Sequence, residues 1–325
     1  MRKKSARSTR MFDALVRLLG RMRGLRTDRL RTPQSGAAHG SKAFSVSDIF
    51  PSLPEIKIVD AGAMWLGPGS DLHARIVDLG LAQVVGFEPI ESECKKLNEI
   101  SSSAHAYYPF VLGDGSPGRF RVCNSSMTSS LYEPNPRVLQ CFPDLEDQVR
   151  VVREIPVTTR KLDDITEAAG AHYLKLDVQG AELDILRGAG RFLETILVVH
   201  TEVEFVPLYR GQPLFAEVDR ALRDAGFSLF TFTGIQSRAF HPFSRNRAAL
   251  LKAKQALWTD AVYVKSLFSM EELDKDCLMR MFIILHFVYE AFDLCLHLLT
   301  YLDRLNGSET AKLYGDRAAA WLKPL

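Results

Sequence analysis

No two of the five cysteines are spaced as CxxC; Cys94, Cys123, Cys141, Cys277 and Cys295 lie far apart and are odd in number. Such spacing suits neither a zinc site nor a disulfide framework, so they read as mostly buried, reduced thiols of a cytoplasmic protein, and no metal site is expected. No secretory leader is expected either: Arg17, Arg21 and Arg23 interrupt any apolar core near the N-terminus, and no A-x-A site follows. Two nucleotide signatures are also absent. A phosphate-cradling loop needs GxxxxGK[ST]; Gly62 and Gly67 have the first spacing, but Pro68 and Gly69 stand where the lysine and the hydroxyl should be. The dinucleotide fingerprint GxGxxG fails because Gly62 and Gly67 are five residues apart. Finally, the body of the chain has no basic stripe interleaved with aromatics, so a nucleic-acid partner is not expected.

What is present begins with a charge asymmetry. The net charge of +2 combines +9 over residues 1–32 with −7 over the rest. In the tail, Phe12, Leu15, Val16, Leu19 and Met22 recur at helical spacing, which makes residues 1–32 a candidate for peripheral contact with anionic lipid. The plainer reading is a solvated, partly helical tail. A Gly/Ser/Thr-rich linker covers 27–44. The chain divides into a basic tail and linker (1–44), an α/β domain (45–266, with its strands between Ile56 and Lys265) and a C-terminal helical extension (267–325).

Within the domain, strand and helix alternate. The runs Ile56–Asp60, Val84–Glu88, Tyr173–Asp177 and Ile196–His200 read as buried strands, with helical patterns at 72–79, 91–100, 181–193 and 214–225. His105–Leu112 is strand-like, and the turn Gly113–Gly118 predicts a hairpin. Residues 124–160 read as a long loop, functional or disordered; Ser228–Thr233 and Ala261–Lys265 complete the strands. This alternation predicts a parallel-rich sheet covered on both faces, with ligands beyond the carboxyl ends of its strands. Acids follow several strand runs there: Asp60, Glu88, Asp177 and the pair Glu202/Glu204. In the extension, Met279–Leu302 is nearly all apolar and long enough to span a bilayer. His286, Glu290, Asp293 and His297 oppose that and favour a helix buried against the body or, through 270–304, against a second copy.

The first strand ends in Asp60, a turn follows at Gly62, and the second acid, Glu88, comes 28 residues on. S-adenosylmethionine suits this pattern, since it has no phosphate but carries a ribose diol and an α-amino group. A glycine turn permits close backbone approach, Glu88 can accept both ribose hydroxyl protons, and Asp60 can orient the amino-acid end. The plain alternatives are a tight turn at Gly62 and a solvated acid at Glu88.

The segment Leu174-Lys175-Leu176-Asp177-Val178-Gln179-Gly180-Ala181-Glu182 and its continuation to Gly188-Ala189 resembles the FkbM-type methyltransferase family. Val59–Ala63, Gly86–Pro89, Ser129–Leu131, Thr201–Phe205 and Asp260–Val264 agree in order, so the resemblance covers about 56–265. It implies a Rossmann-like seven-stranded sheet with its last strand antiparallel, S-adenosylmethionine as cofactor, and methylation of a hydroxyl on a sugar, glycan or natural product. Two departures stand out: Met64 with an expanded Gly67-Pro68-Gly69 loop, and Gln179 where the family usually has Glu. The resulting candidates are Asp60, Gly62, Ala63, Glu88, Pro89 and Asp114 for the cofactor, Asp177, Glu202 and Glu204 for catalysis, and Ser129, Ser130 and His200 for the substrate. The plain reading of His200 is a satisfied buried histidine, and that of Ser129 and Ser130 a solvated loop. The rival class is a non-catalytic scaffold or membrane-surface protein using the basic tail and the apolar C-terminal helix.

Overall fold

The computed structural model describes residues 46, 49–50, 52–64, 71–142, 145–242 and 253–321. The basic tail 1–32 and the expanded loop Gly67–Gly69 lie outside them.

Seven strands form the main sheet in the order β3-β2-β1-β6-β7-β9-β8. They are β1 (Ile56–Ala61), β2 (Ala82–Phe87), β3 (His105–Tyr108), β6 (Tyr173–Leu176), β7 (Val198–Glu204), β8 (Phe227–Arg238) and β9 (Gln255–Lys265). All neighbouring pairs from β3 through β7 are parallel. β9 enters between β7 and β8 and is antiparallel to both. The chain therefore has the α/β fold its alternation predicts, with the antiparallel last strand that the family resemblance implies. Both faces of the sheet are apolar. Val59, Leu174, Val199 and Tyr263 point to one, covered by α5 (Glu182–Arg187) and α6 (Phe215–Asp224). Ile58, Tyr173, Val198 and Val262 point to the other. There the cover is α1 (Ala74–Asp78) together with the C-terminal helices α7 (Lys275–Phe287), α8 (Phe292–Asn306) and α9 (Thr310–Trp321).

Helix α7 explains the apolar C-terminal run. Leu278, Met281, Phe282, Ile283, Ile284 and Leu285 are all fully buried, which marks a helix enclosed on every side. At about 1.5–3 kcal/mol for each such side chain, this burial outweighs any propensity term. Asp274 caps its N-terminus by accepting from the Cys277 N–H at 2.8 Å. The single long helix read from the sequence is in fact two, because the chain breaks at 288–291 with Glu290 at φ +51°. An all-apolar pattern has no face whose rotation could betray such a break. No described helix is long and apolar enough to cross a membrane, and the apolar face of 270–304 lies against the chain's own sheet.

Other expectations also change. The turn Gly113–Gly118 does not open a hairpin with β3. Instead β4 (Pro117–Cys123) pairs antiparallel with β5 (Val151–Thr158) as a separate two-stranded sheet. β5 hides in the sequence because it is polar and contains Pro156, which only an edge strand tolerates. The stretch between β4 and β5 is not one loop: it includes α3 (Pro136–Leu139) and α4 (Leu145–Gln148), packed through Leu139, Phe142 and Leu145. Helix α5 stops at Arg187 rather than Leu193. At Gly188 the backbone passes so close to Gly113 that a Cβ would sit 2.3 Å from its carbonyl oxygen.

Candidate active site

On the face covered by the C-terminal helices, side chains alternate along each strand, and each column turns from apolar to polar near the carboxyl edge. Ile56 and Ile58 lead to Asp60, Tyr173 leads to Lys175, and Val198 leads to His200. Register places Asp60 beside Lys175 and Lys175 beside His200. On antiparallel β9, Val264 and Val262 lead to Asp260, opposite Glu202. The apolar halves belong to the core, and the polar ends open into a cavity of about 580 Å³, a size typical of small-molecule sites.

Asp60 and Lys175 form a buried ion pair at 2.9 Å. Burial alone would raise the Asp60 carboxyl, but the Lys175 ammonium and His73 override it and hold it below the ordinary range. Burial likewise works against the Lys175 charge, and Asp60 more than restores it. The carboxylate of Glu88 is 4% exposed, accepts from the Ile90 N–H at 2.7 Å, and is pushed by burial up to about 7. Gly62 lies at φ +79°, and a Cβ there would meet the Asp177 carbonyl oxygen at 1.9 Å. The glycine therefore lets the loop after β1 touch the loop after β6, joining the two halves of the cavity floor.

Of the candidates, Asp60, Gly62, Glu88, Pro89, Asp177, Ser129 and His200 line this cavity. Ala63 instead packs with Cys94 and Leu97 of helix α2 (Glu91–Ile100) and with Tyr107. Asp114 lies outside the cavity, where its carboxylate accepts from the Ser116 N–H at 2.9 Å. Ser130 donates to the Gln179 carbonyl at 2.7 Å. That bond steadies a backbone held at φ +59°, a conformation a glutamine adopts only when its surroundings impose it. Ser129 accepts from the Cys123 N–H at 3.1 Å, so both serines brace the loop from within.

Glu202 and Glu204 sit behind the cavity with Glu182, their ligand oxygens all within 4.8 Å of one another. Three such carboxylates have the spacing to hold a metal ion. Internal donors also serve them: the Val178 N–H reaches Glu182 at 2.9 Å, and the Gln179 amide reaches Glu202 at 2.6 Å and Asp177 at 3.0 Å. Burial, then mutual repulsion with Asp177, pushes Glu202 well up, and burial pushes Glu182 to about 7. The departure at Gln179 now has a physical reason, since an amide can donate to both carboxylates whereas a carboxylate there would add another buried charge.

Three further cavity residues, Lys175, Asp260 and His73, are not singled out by the sequence. Lys175 and Asp260 become legible once strand parity is counted, because each shares a face with an apolar core residue two positions away. His73 carries no such signal. It is 1% exposed, neither ring nitrogen has a hydrogen-bond partner among the described residues, and burial lowers its basicity.

A carboxyl-edge cavity at the end of parallel strands, built around an acid, a glycine turn and a second acid, is the site of an α/β small-molecule enzyme. The chain matches the model of the methyltransferase FkbM domain over residues 61–229 and belongs to that family. It is 41% identical over 75 residues to the 2-O-methyltransferase NoeI of Sinorhizobium fredii (strain NBRC 101917 / NGR234), a match covering 22% of this chain and 31% of that protein. Among solved structures it resembles magnesium protoporphyrin IX methyltransferase (ChlM) from Synechocystis PCC 6803 with bound SAM. There the identity is 14%, the coverage 68% of this chain and 74% of that one, and the TM-score 0.34. The plantazolicin methyltransferase BpumL in complex with SAH matches at 11% identity over 67% and 79%, with a TM-score of 0.33. Neither likeness bears on substrate or cofactor.

Proposed function

We propose that the chain is an S-adenosylmethionine-dependent O-methyltransferase acting on a hydroxyl of a sugar, glycan or natural product. The observation that carries this reading is the cavity, lined by Asp60, Glu88, Asp177, His200 and Asp260. Glu88 offers a buried carboxylate to a ribose diol. Its Ile90 hydrogen bond engages Oε1, and binding of the two hydroxyls restores polar partners that burial has removed. The Asp60–Lys175 pair presents both signs of charge to an amino-acid end. The 2-O-methyltransferase relative supports oxygen as the acceptor atom.

When bound, the cofactor supplies a methyl carbon activated by its sulfonium. The protein's part is alignment and proton removal. Holding the acceptor oxygen in line behind that carbon supplies much of the acceleration. During transfer the acceptor hydroxyl would give up its proton to a carboxylate of this chain. Asp177 follows β6 at the centre of the sheet and is the first choice as base, a role typically worth about 10²–10⁴-fold. Glu202 is one step removed, reaching the cavity only through Gln179. The stretch around Met127 and Ser129 forms the wall nearest β4 and is placed to select the acceptor.

The test is thermal stabilisation by S-adenosylmethionine, S-adenosylhomocysteine, NAD and ATP, each added alone. The first two should stabilise the protein. A larger shift with NAD or ATP, or none with the first two, sinks the assignment. Label transferred from methyl-labelled cofactor into extracts then identifies the acceptor.

A further inference from the structure

The family match ends at residue 229, yet one side chain far beyond it reaches the cavity wall. Tyr289 sits at the break between α7 and α8, where the left-handed residue Glu290 turns the chain. Its hydroxyl lies 3.0 Å from His200 Nδ1 and 2.8 Å from the hydroxyl of Tyr173. Its ring stacks on the His200 imidazole, with centroids 6.1 Å apart and planes inclined by 18°. His200 Nε2 lies on the other side of that ring, 3.7 Å from Asp260 Oδ1, and both residues line the cavity.

We propose that Tyr289 is a positioning residue for the methyl-transfer site, fixing His200 as the Nε2–H tautomer so that it presents a donor, not a lone pair, toward Asp260 and the cavity. The catalytic meaning of this inference rests on the function proposed above; the hydrogen-bond direction does not.

Two arguments set that direction. Tyr173 is fully buried, and among the described residues its hydroxyl has Tyr289 as its only hydrogen-bond partner. If His200 donated through Nδ1 to Tyr289, Tyr289 would donate to Tyr173, and the Tyr173 proton would have no acceptor. A buried donor without a partner is what folded proteins avoid. The reverse order, Tyr173 to Tyr289 to His200 Nδ1, gives both buried phenol protons an acceptor and leaves only the Nε2 proton, which faces the Asp260 carboxylate at 3.7 Å on the cavity side. The second argument comes from the far side of the ring. With Nδ1 as acceptor, neutral His200 carries its proton on Nε2 and faces the Asp260 carboxylate with a donor, whereas the other tautomer would set a lone pair against that carboxylate. Burial keeps both phenols in the protonated form this chain requires.

Around His200 the charged and titratable neighbours are Asp260 on β9, Lys175 on β6 and Asp60 on β1, with Tyr289 and Tyr173 in the chain itself. In this arrangement His200 orients the Asp260 carboxylate or the incoming hydroxyl, and the base is a carboxylate. The C-terminal helices thus serve the site as well as covering the sheet.

The experiment is ¹⁵N-histidine NMR of the full chain, with the His200 resonances assigned by their loss in His200→Gln. Wild type should show a protonated Nε2 and an unprotonated, hydrogen-bonded Nδ1. Tyr289→Phe keeps the ring and removes the hydroxyl. It should shift the Nδ1 resonance to that of an unbonded nitrogen and let the other tautomer appear, with the far-ultraviolet circular dichroism unchanged. Tyr173→Phe should leave the His200 tautomer as in wild type, because Tyr289 still donates. A wild-type Nδ1–H tautomer, or a Tyr289→Phe spectrum identical to wild type, overturns the proposal. Neither readout uses cofactor or acceptor, so its failure is distinct from a failure of the proposed function.

Discussion

Replacing Glu88 by Gln should make the protein more stable and less able to bind the methyl donor proposed for it. The carboxyl is 4% exposed, and burial moves it from an ordinary 4.5 to about 7. Between those values the folded protein holds a proton that the unfolded chain has lost, so stability falls as pH rises through that window. The shift corresponds to about 3 kcal/mol once the group is ionised in both states. In Glu88→Gln the side-chain amide oxygen would still accept from the Ile90 N–H, without the charge. The variant's advantage over wild type should grow from under about 1 kcal/mol near pH 5 to about 3 kcal/mol near pH 8. Glu182 titrates in the same range but is common to both proteins and cancels in the difference. Urea denaturation of the two proteins at both pH values measures the gain, and calorimetry with S-adenosylmethionine measures the loss. An advantage independent of pH would refute the burial argument, and wild-type affinity in the variant would refute the ribose role.

The remaining predictions concern the cavity floor. Lys175→Met strands the buried Asp60 carboxylate and should cost about 3 kcal/mol or more, while the double variant with Asp60→Asn recovers most of it; equal losses in denaturation curves would mean the pair is not coupled. Gly62→Ala should prevent stable folding, because its Cβ would overlap the Asp177 carbonyl. Gly80→Ala, at φ +69° in open space, should cost only about 1–2 kcal/mol; similar denaturation midpoints would show that the Gly62 contact is not as close as described. Gln179→Glu adds a carboxylate beside Asp177 and Glu202. Because such a group is held protonated by its surroundings, the loss of stability should be small near pH 5 and grow as pH rises; a loss equal at both pH values would point to shape rather than charge.

Much of this site is legible in the sequence because it obeys period-two alternation. Asp60, Glu88 and Asp177 end or follow apolar strands, and a reader who knows that ligands gather at carboxyl edges can find them. Lys175 and Asp260 follow by the same parity. Other features depend on packing that no local pattern encodes. Glu202 and Glu204 share a face with His200 on β7, yet the cavity closes before reaching them, and only the position of Gln179 shows this. The break at Glu290 leaves no clear periodic signal inside a nearly all-apolar run, so the reach of Tyr289 to His200, 89 residues away, is hidden too. β5 escapes because most of its residues face water and one is proline.

The place of β9 in the sheet has a consequence for the order in which this protein can be made. β8 touches the rest of the sheet only through β9, although β9 is synthesised after it. While a ribosome is still translating the β8–β9 connection, the nascent chain can assemble at most β1, β2, β3, β6 and β7, ending in a bare strand edge along β7. That edge is a pairing hazard and a natural point of chaperone attention until β9 slots in. The C-terminal helices emerge later still, so the core beneath them and the Tyr289–His200 contact form only after β9 has been made.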